Sequence, residues 1–370
     1  MFAAIPRWLR VIVYTQIALV VAIPLGGWIL QRAGEAADLQ RFPAPGKLVD
    51  IGGRRLHVYC EGNRNGLPLV VFQADLGDHG LLWRAVQDEL KAPRRSCAVD
   101  RAGLGWSDPG SEDRSIPASA RELYAVLQAL GEPGPYVLVG HGLGALHVLE
   151  LAGNQPANVA GLVLVDPLPP DCLKDRFAGI VARTAEAHRD AIRSKLDEVI
   201  AERGSCPEGE GGTPLLSWLA RIGMVRALAA RNFDATSPSP DLLEVHRALK
   251  LRTQATDALL QESKTAYVGK TAMGEALSAA RRFPVRVLSR GRLGNFVPDQ
   301  QFLERRGDDT TLAFERAQLQ YLQDRHREMA SAANGIHEVA EGSGHYIPIS
   351  EPGRIAAAVR ALQPAPAAAQ

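Results

Sequence analysis

One stretch constrains the fold more than any other: "PYVLVGHGLGALHVLELA", Pro135 to Ala152. Tyr136 to Val139 is a short apolar run that suits a buried strand. Gly140, Gly142 and Gly144 then fall at alternate positions, and Leu143, Leu146, Leu149 and Leu151 follow in a helical run. Strand, sharp turn and helix in direct succession are the building step of an α/β fold. The same alternation recurs on either side. "HVYC", "PLVVF", "SCAVD" and "AGLVLVD" read as strands, with helices from about Leu81 to Leu90 and from about Ser119 to Leu130. Apolar runs alternating with helices imply a mostly parallel sheet covered on both faces.

Between about Pro170 and Arg282 the strands stop and helical stretches take over; "PVRVLSR" and "IHEVAEG" resume the sheet. The chain of 370 residues therefore divides as follows. A tail (1–10), an apolar span (11–31) and a polar linker (32–46) precede the first half of the core (47–169). A helical cap (170–282), the second half of the core (283–363) and an Ala/Pro-rich tail (364–370) complete it. From Val11 to Gln31 no residue is charged, enough for a single transmembrane helix, with Trp8 and Trp28 near its ends. A cleaved signal peptide and a buried core helix are the rival readings. Arg7 and Arg10 precede the span and Arg32, Arg41 and Lys47 follow it, so charge alone does not orient it. With 42 basic and 41 acidic residues the chain lacks the basic excess of a nucleic-acid binder. None of the four cysteines forms a C-x-x-C pair, which argues against a zinc site. No cofactor and no metal is expected.

The glycine turn admits three readings. In G-x-S-x-G turns the middle residue is a nucleophilic serine, and here it is Gly142. Gly140, Gly142 and Ala145 also satisfy G-x-G-x-x-A, the dinucleotide fingerprint, with Asp166 about 20 residues further on as the ribose-binding acid. A tight turn without chemistry is the third. Three further segments weigh against the nucleotide: "FQADLGDHGLLW" (72–83), "VDRAGLGWSDPG" (99–110) and "EGSGHYIPISEPGRIAAAV" (341–359). In order and spacing they resemble the α/β-hydrolase superfamily, from about Lys47 to Gln363, and most closely its membrane-anchored or exported bacterial members with a helical cap.

That resemblance implies an eight-stranded α/β-hydrolase fold. It places the nucleophile position at Gly142, the base at His345 and the orienting acid at Asp166, with Asp299 as the alternative acid. It implies oxyanion-hole donors at the N–H groups of Leu143 and Leu76. Asp75 stands where a glycine is usual, and a carboxylate there opposes a developing oxyanion unless it points to solvent. The side chain of His141 must point away from the nucleophile position. Cys60 and Cys97 lie on strands that neighbour in the family's order, which implies a disulfide and an oxidising compartment outside the cytoplasm. A weaker expectation pairs Cys172 with Cys206. Serine acyl-enzyme chemistry should be absent or strongly reduced. The favoured function is a non-catalytic protein that binds a small apolar or ester-like ligand. The alternative is a general-base dyad of His345 and Asp166 acting on an ester, lactone or epoxide. A serine introduced at 142 should fit with little packing strain.

Overall fold

The computed structural model describes residues 6–92, 94–110, 113–169, 171–203, 214–232, 242–266, 270–292 and 309–362. The chain opens with α1 (Arg7–Arg41), 35 residues long. It is long and apolar enough to cross a membrane, and its apolar window is 0% buried, so it is not a core helix; a signal sequence passes the same test. The linker expected over 32–46 is instead helical as far as Arg41. Its polar continuation is bonded to the helices inserted later in the chain. Gln31 donates to the Leu251 carbonyl at 2.9 Å, Glu35 accepts from the Thr253 N–H at 2.6 Å, and Arg226 pairs with Asp38 at 2.7 Å. These bonds hold a segment that composition alone reads as a tether.

The core follows in the expected alternation: β1 (Lys47–Asp50), β2 (Arg55–Glu61), β3 (Val70–Gln73), α2 (Arg84–Leu90), β4 (Ser96–Val99), α3 (Ile116–Ala129), β5 (Tyr136–His141), α4 (Leu143–Asn154) and β6 (Val159–Val165). Ser115 caps α3 by accepting the Ala118 N–H, which starts the helix three residues before the expected Ser119. Next come α5 (Leu173–Arg183), α6 (Glu186–Arg203), α7 (Pro214–Arg221), α8 (Met224–Asn232), α9 (Leu243–Lys250), α10 (Thr253–Thr265) and α11 (Lys270–Ala280), with no strand among the described residues of this insertion. The sheet resumes with β7 (Val285–Arg290). Then follow α12 (Asp309–Ala332), β8 (Ile336–Ala340), α13 (Ile347–Ser350) and α14 (Pro352–Ala361).

The eight strands order as β1-β2-β4-β3-β5-β6-β7-β8. The pairs β1/β2 and β2/β4 are antiparallel and the rest are parallel. Strands β3, β4 and β5 are buried along their whole length, as the near-continuous apolar runs require. The β2/β4 register sets Cys60 opposite Cys97, and the two form the expected disulfide with Cα atoms 4.1 Å apart, just under the usual range. Cys172 is also disulfide-bonded; Cys206 lies outside the described residues.

Parallel strands bring the loops after β3, β5, β6 and β7 to one edge of the sheet, where ligands of open α/β sheets bind. Helices α9 and α10 close over the loop after β3. Glu262 of α10 accepts the Gly77 N–H at 3.0 Å, and Lys250 of α9 donates to the Gly77 carbonyl at 2.8 Å.

Candidate active site

The site is built from the ends of five strands, β3, β5, β6, β7 and β8. Between β5 and α4 the chain turns at Gly142, whose φ is 52° and ψ −116°. Few residues with a Cβ hold that conformation without strain. The flanking glycines serve a different need, close approach. A Cβ on Gly140 would lie 2.4 Å from the Gly144 carbonyl oxygen, and one on Gly144 would lie 2.4 Å from that of Gln73.

The loop leaving β3 carries Asp75. Its side chain does not face solvent; it turns into the site. Oδ1 accepts the Leu143 N–H at 2.6 Å, and Oδ2 lies 2.7 Å from Nε2 of His345. The N–H group expected to serve an oxyanion therefore already has a resident acceptor. Leu76 lines the same cavity. Two guanidinium bonds fix the loop: Arg101 donates to the carbonyls of Ala74 at 2.6 Å and Asp75 at 2.7 Å. Glu262, fully buried, holds Arg101 in turn at 2.7 Å.

Asp166 follows β6 with φ 40°, one of two non-glycine residues at positive φ among the described residues. Its Oδ2 lies 2.6 Å from Nδ1 of His345. Of the two candidate acids, Asp166 is thus placed beside the imidazole; Asp299 lies outside the described residues. Arg290, at the end of β7, grips the same carboxylate, with Nε 2.7 Å from Oδ2 and its backbone N–H 3.2 Å from Oδ1. No motif in the sequence marks Arg290, because an arginine at a strand end carries no signature of its own. Its Nη2 also lies 2.9 Å from Nδ1 of His345. Both groups are donors when that nitrogen is protonated, so the carboxylate takes the hydrogen bond and the guanidinium contact is repulsive.

His345 thus sits between two carboxylates. Burial and the Arg290 charge pull its pKa down, but the bonds to Asp166 and Asp75 outweigh them and hold it at about 9. At neutral pH it is an imidazolium with Nδ1–H on Asp166 and Nε2–H on Asp75. Burial pushes the Asp75 carboxyl up, yet its bond to His345 and that charge bring it well below the usual carboxylate range. Asp166 is lowered too, by Arg290 and His345 against burial. His141 is buried and neutral, its pKa pushed to about 4 by burial and by the His345 charge. Its ring lies beside that of His345, centroids 4.4 Å apart, and Nε2–H donates to the His345 carbonyl at 2.9 Å. It therefore props the base from behind, as its direction on the turn requires.

Asp75, His141 and His345 each bring a metal-ligand atom within 4.8 Å of the others, the one such group among the described residues. Beside them lies a cavity of about 40 Å³, lined by Asp75, Gly142 and His345 together with Leu76, Leu168 and Leu322. It is large enough for one or two water molecules. A larger groove of about 690 Å³ between α5 and α6 includes none of these residues.

Residues 76–358 match the model of the alpha/beta hydrolase family. Among curated proteins, the uncharacterized protein YbdG of Bacillus subtilis (strain 168) is 22% identical over 175 residues, which are 46% of this chain and 53% of that protein. The chain spans about half or less of the length of the first curated relatives it matches. Among solved structures, a thermophilic esterase from Thermogutta terrifontis aligns over 85% of this chain and 96% of its own, with TM-score 0.51 and 18% identity. The epoxide hydrolase CorEH aligns over the same shares with TM-score 0.56 and 16% identity. At such identities the likeness is one of fold.

Proposed function

Because this chain belongs to the alpha/beta hydrolase family, we propose that it hydrolyses a small apolar ester-, lactone- or epoxide-like substrate without a serine acyl-enzyme. His345 moves the protons and Asp166 orients it. The observation that carries this reading is the imidazole held between Asp75 and Asp166 at 2.7 and 2.6 Å. Gly142 at the strand–helix turn has no hydroxyl, so the serine route is closed there. Asp166 is spoken for by His345 and Arg290, which leaves the dinucleotide reading no acid for a ribose.

The resting site is poised for acid chemistry. Its Nε2 proton can be given to a departing oxygen, and only after that does His345 become a base. The test is a screen of short esters, lactones and epoxides on detergent-solubilised full-length protein. Turnover should drop about 10²–10⁴-fold in His345→Gln and Asp166→Asn. It should also decline above about pH 9, where His345 loses its proton. A fluorophosphonate should label nothing. Loss of activity with labelling would contradict the serine-free route, and a folded protein inert on the whole panel would sink the hydrolase reading.

A second reading, ligand binding without catalysis, draws on one observation. The Leu143 N–H that would steady an oxyanion is occupied by the Asp75 carboxylate. On this reading the inserted helices act as a cap that shapes a ligand site, and screen-negative protein would carry a bound apolar molecule.

We further read α1 as a single-pass anchor with the main domain outside the cytoplasm. Its unburied apolar length and the Cys60–Cys97 bond support this.

A further inference from the structure

The space at the glycine turn is not empty. A Cβ built on Gly142 would lie 1.8 Å from Oδ1 of Asp75 and 2.1 Å from its Cγ. The Asp75 carboxylate therefore fills the volume that a side chain at 142 would enter. It is bonded to the Leu143 N–H, the expected oxyanion donor, and to His345, the base that a nucleophile at the turn would use. Its loop is pinned by Arg101, and the small apolar-walled cavity opens beside it. We infer that Asp75 is the nucleophile of this site, delivered from the loop after β3 in place of the turn after β5, and that it attacks a ring carbon of a small apolar epoxide. The inference rests on the hydrolase reading above.

The choice of electrophile follows from where charge must develop. Attack on an ester carbonyl would build an oxyanion that needs a hydrogen-bond donor, and Leu143 already serves Asp75 itself. Attack on a saturated ring carbon instead builds charge on the departing oxygen, which leaves on the side of the carbon away from Oδ2 and needs only a proton, supplied by His345 through a water.

The steps balance. Oδ2 of Asp75 forms a bond to the ring carbon from the side opposite the ring oxygen, the carbon–oxygen bond of the ring breaks, and its oxygen takes the Nε2 proton through an intervening water. Asp75 is now a neutral ester, and His345 has lost both its proton and one of the two charges that favoured it. The neutral imidazole removes a proton from water as the water oxygen adds to Cγ of Asp75. The oxyanion then forms at Oδ1, where the Leu143 N–H already points. Collapse breaks the Cγ–O(alkyl) bond, and the released alkoxide takes the proton of the new carboxylic acid. Epoxide plus water has become a vicinal diol, with the Asp75 carboxylate and the His345 imidazolium restored.

This route predicts which oxygen goes where. Excess full-length protein is mixed with limiting 1,2-epoxybutane in ¹⁸O-water, and both the diol and the peptide bearing Asp75 are weighed. The expected result is an unlabelled diol in the first turnover and ¹⁸O in the side chain of Asp75. His345→Gln should accumulate the alkyl ester on Asp75, and Asp75→Asn, which keeps the shape of the side chain, should lose at least about 10³-fold in turnover. A diol that carries solvent oxygen, with Asp75 unlabelled, would overturn the nucleophile and leave the hydrolase reading standing. So would turnover of esters with none of epoxides. Failure on every substrate class would overturn both.

Discussion

At the scale of single residues, Gly142 and Asp75 make one unit. Each is hard to understand alone: a nucleophile turn without a hydroxyl, and a carboxylate in an oxyanion loop. Together they are complementary, because the carboxylate lies in the space the glycine leaves. This corrects the expectation that a serine at 142 fits with little strain. Gly142→Ser must displace Asp75 and hold a Cβ at φ 52°, a cost of about 1–3 kcal/mol. Its thermal midpoint should fall, and a fluorophosphonate should label it poorly. Adding Asp75→Gly removes the clash and frees the Leu143 N–H. The double variant should regain stability and become labelled at Ser in position 142, with hydrolysis of short activated esters. Equal stability of the single variant and the parent would show that Asp75 does not hold this space in solution. His141 and Arg290 belong to the same scale. One buttresses the imidazole from its carbonyl side, and the other keeps Asp166 ionised and aimed.

At the scale of elements, the decisive piece is the loop after β3. Its position is set by a buried relay: Glu262 on α10 holds Arg101 and Arg114, and Arg101 holds the carbonyls of Ala74 and Asp75. The relay couples the inserted helices to the reacting carboxylate. Burial pushes the Glu262 carboxyl up, but the two guanidinium groups bring it down to about 2, so it stays ionised. Glu262→Gln leaves the buried Arg101 guanidinium without its ion-pair partner, while Arg114 keeps Glu122 at 3.9 Å, which should cost about 3–5 kcal/mol in denaturant unfolding. At temperatures where the variant stays folded, turnover should also fall, because Asp75 loses its support. A variant with unchanged stability would mean that water reaches the relay and screens it.

At the scale of the whole molecule, α1 is both an apolar span and a strut. Its first part is unburied, while Gln31, Glu35 and Asp38 bond into the inserted helices. These two roles can be separated by truncation. Removing residues 1–26 should release the protein from membranes that retain the full chain through a high-salt wash, and should leave those bonds intact. Removing residues 1–41 should release it too, with a lowered thermal midpoint. Full-length protein found in the soluble fraction without detergent would rule out the anchor. So would a mature N-terminus beyond Arg32.

The resemblance paired His345 with Asp166, while periodicity and motif order were enough for the α/β alternation, the helical insertion between β6 and β7, and the strand–turn–helix at Gly142. Each depends on neighbours along the chain or on a short signature around one residue. The resemblance also placed Cys60 beside Cys97, since strand order decides which strands face each other. What local sequence did not carry was contact between distant segments. The direction of the Asp75 side chain depends on Gly142, 67 positions later, on His345, and on a guanidinium from a third loop. The helix over 32–41 depends on partners more than 180 residues away. A carboxylate in a loop reads as solvent-facing until the packed structure supplies the imidazolium and the N–H that make burying it favourable. Only the tertiary structure brings those donors to it, and so only the tertiary structure turns an apparent loss at Gly142 into a site with its charge in place.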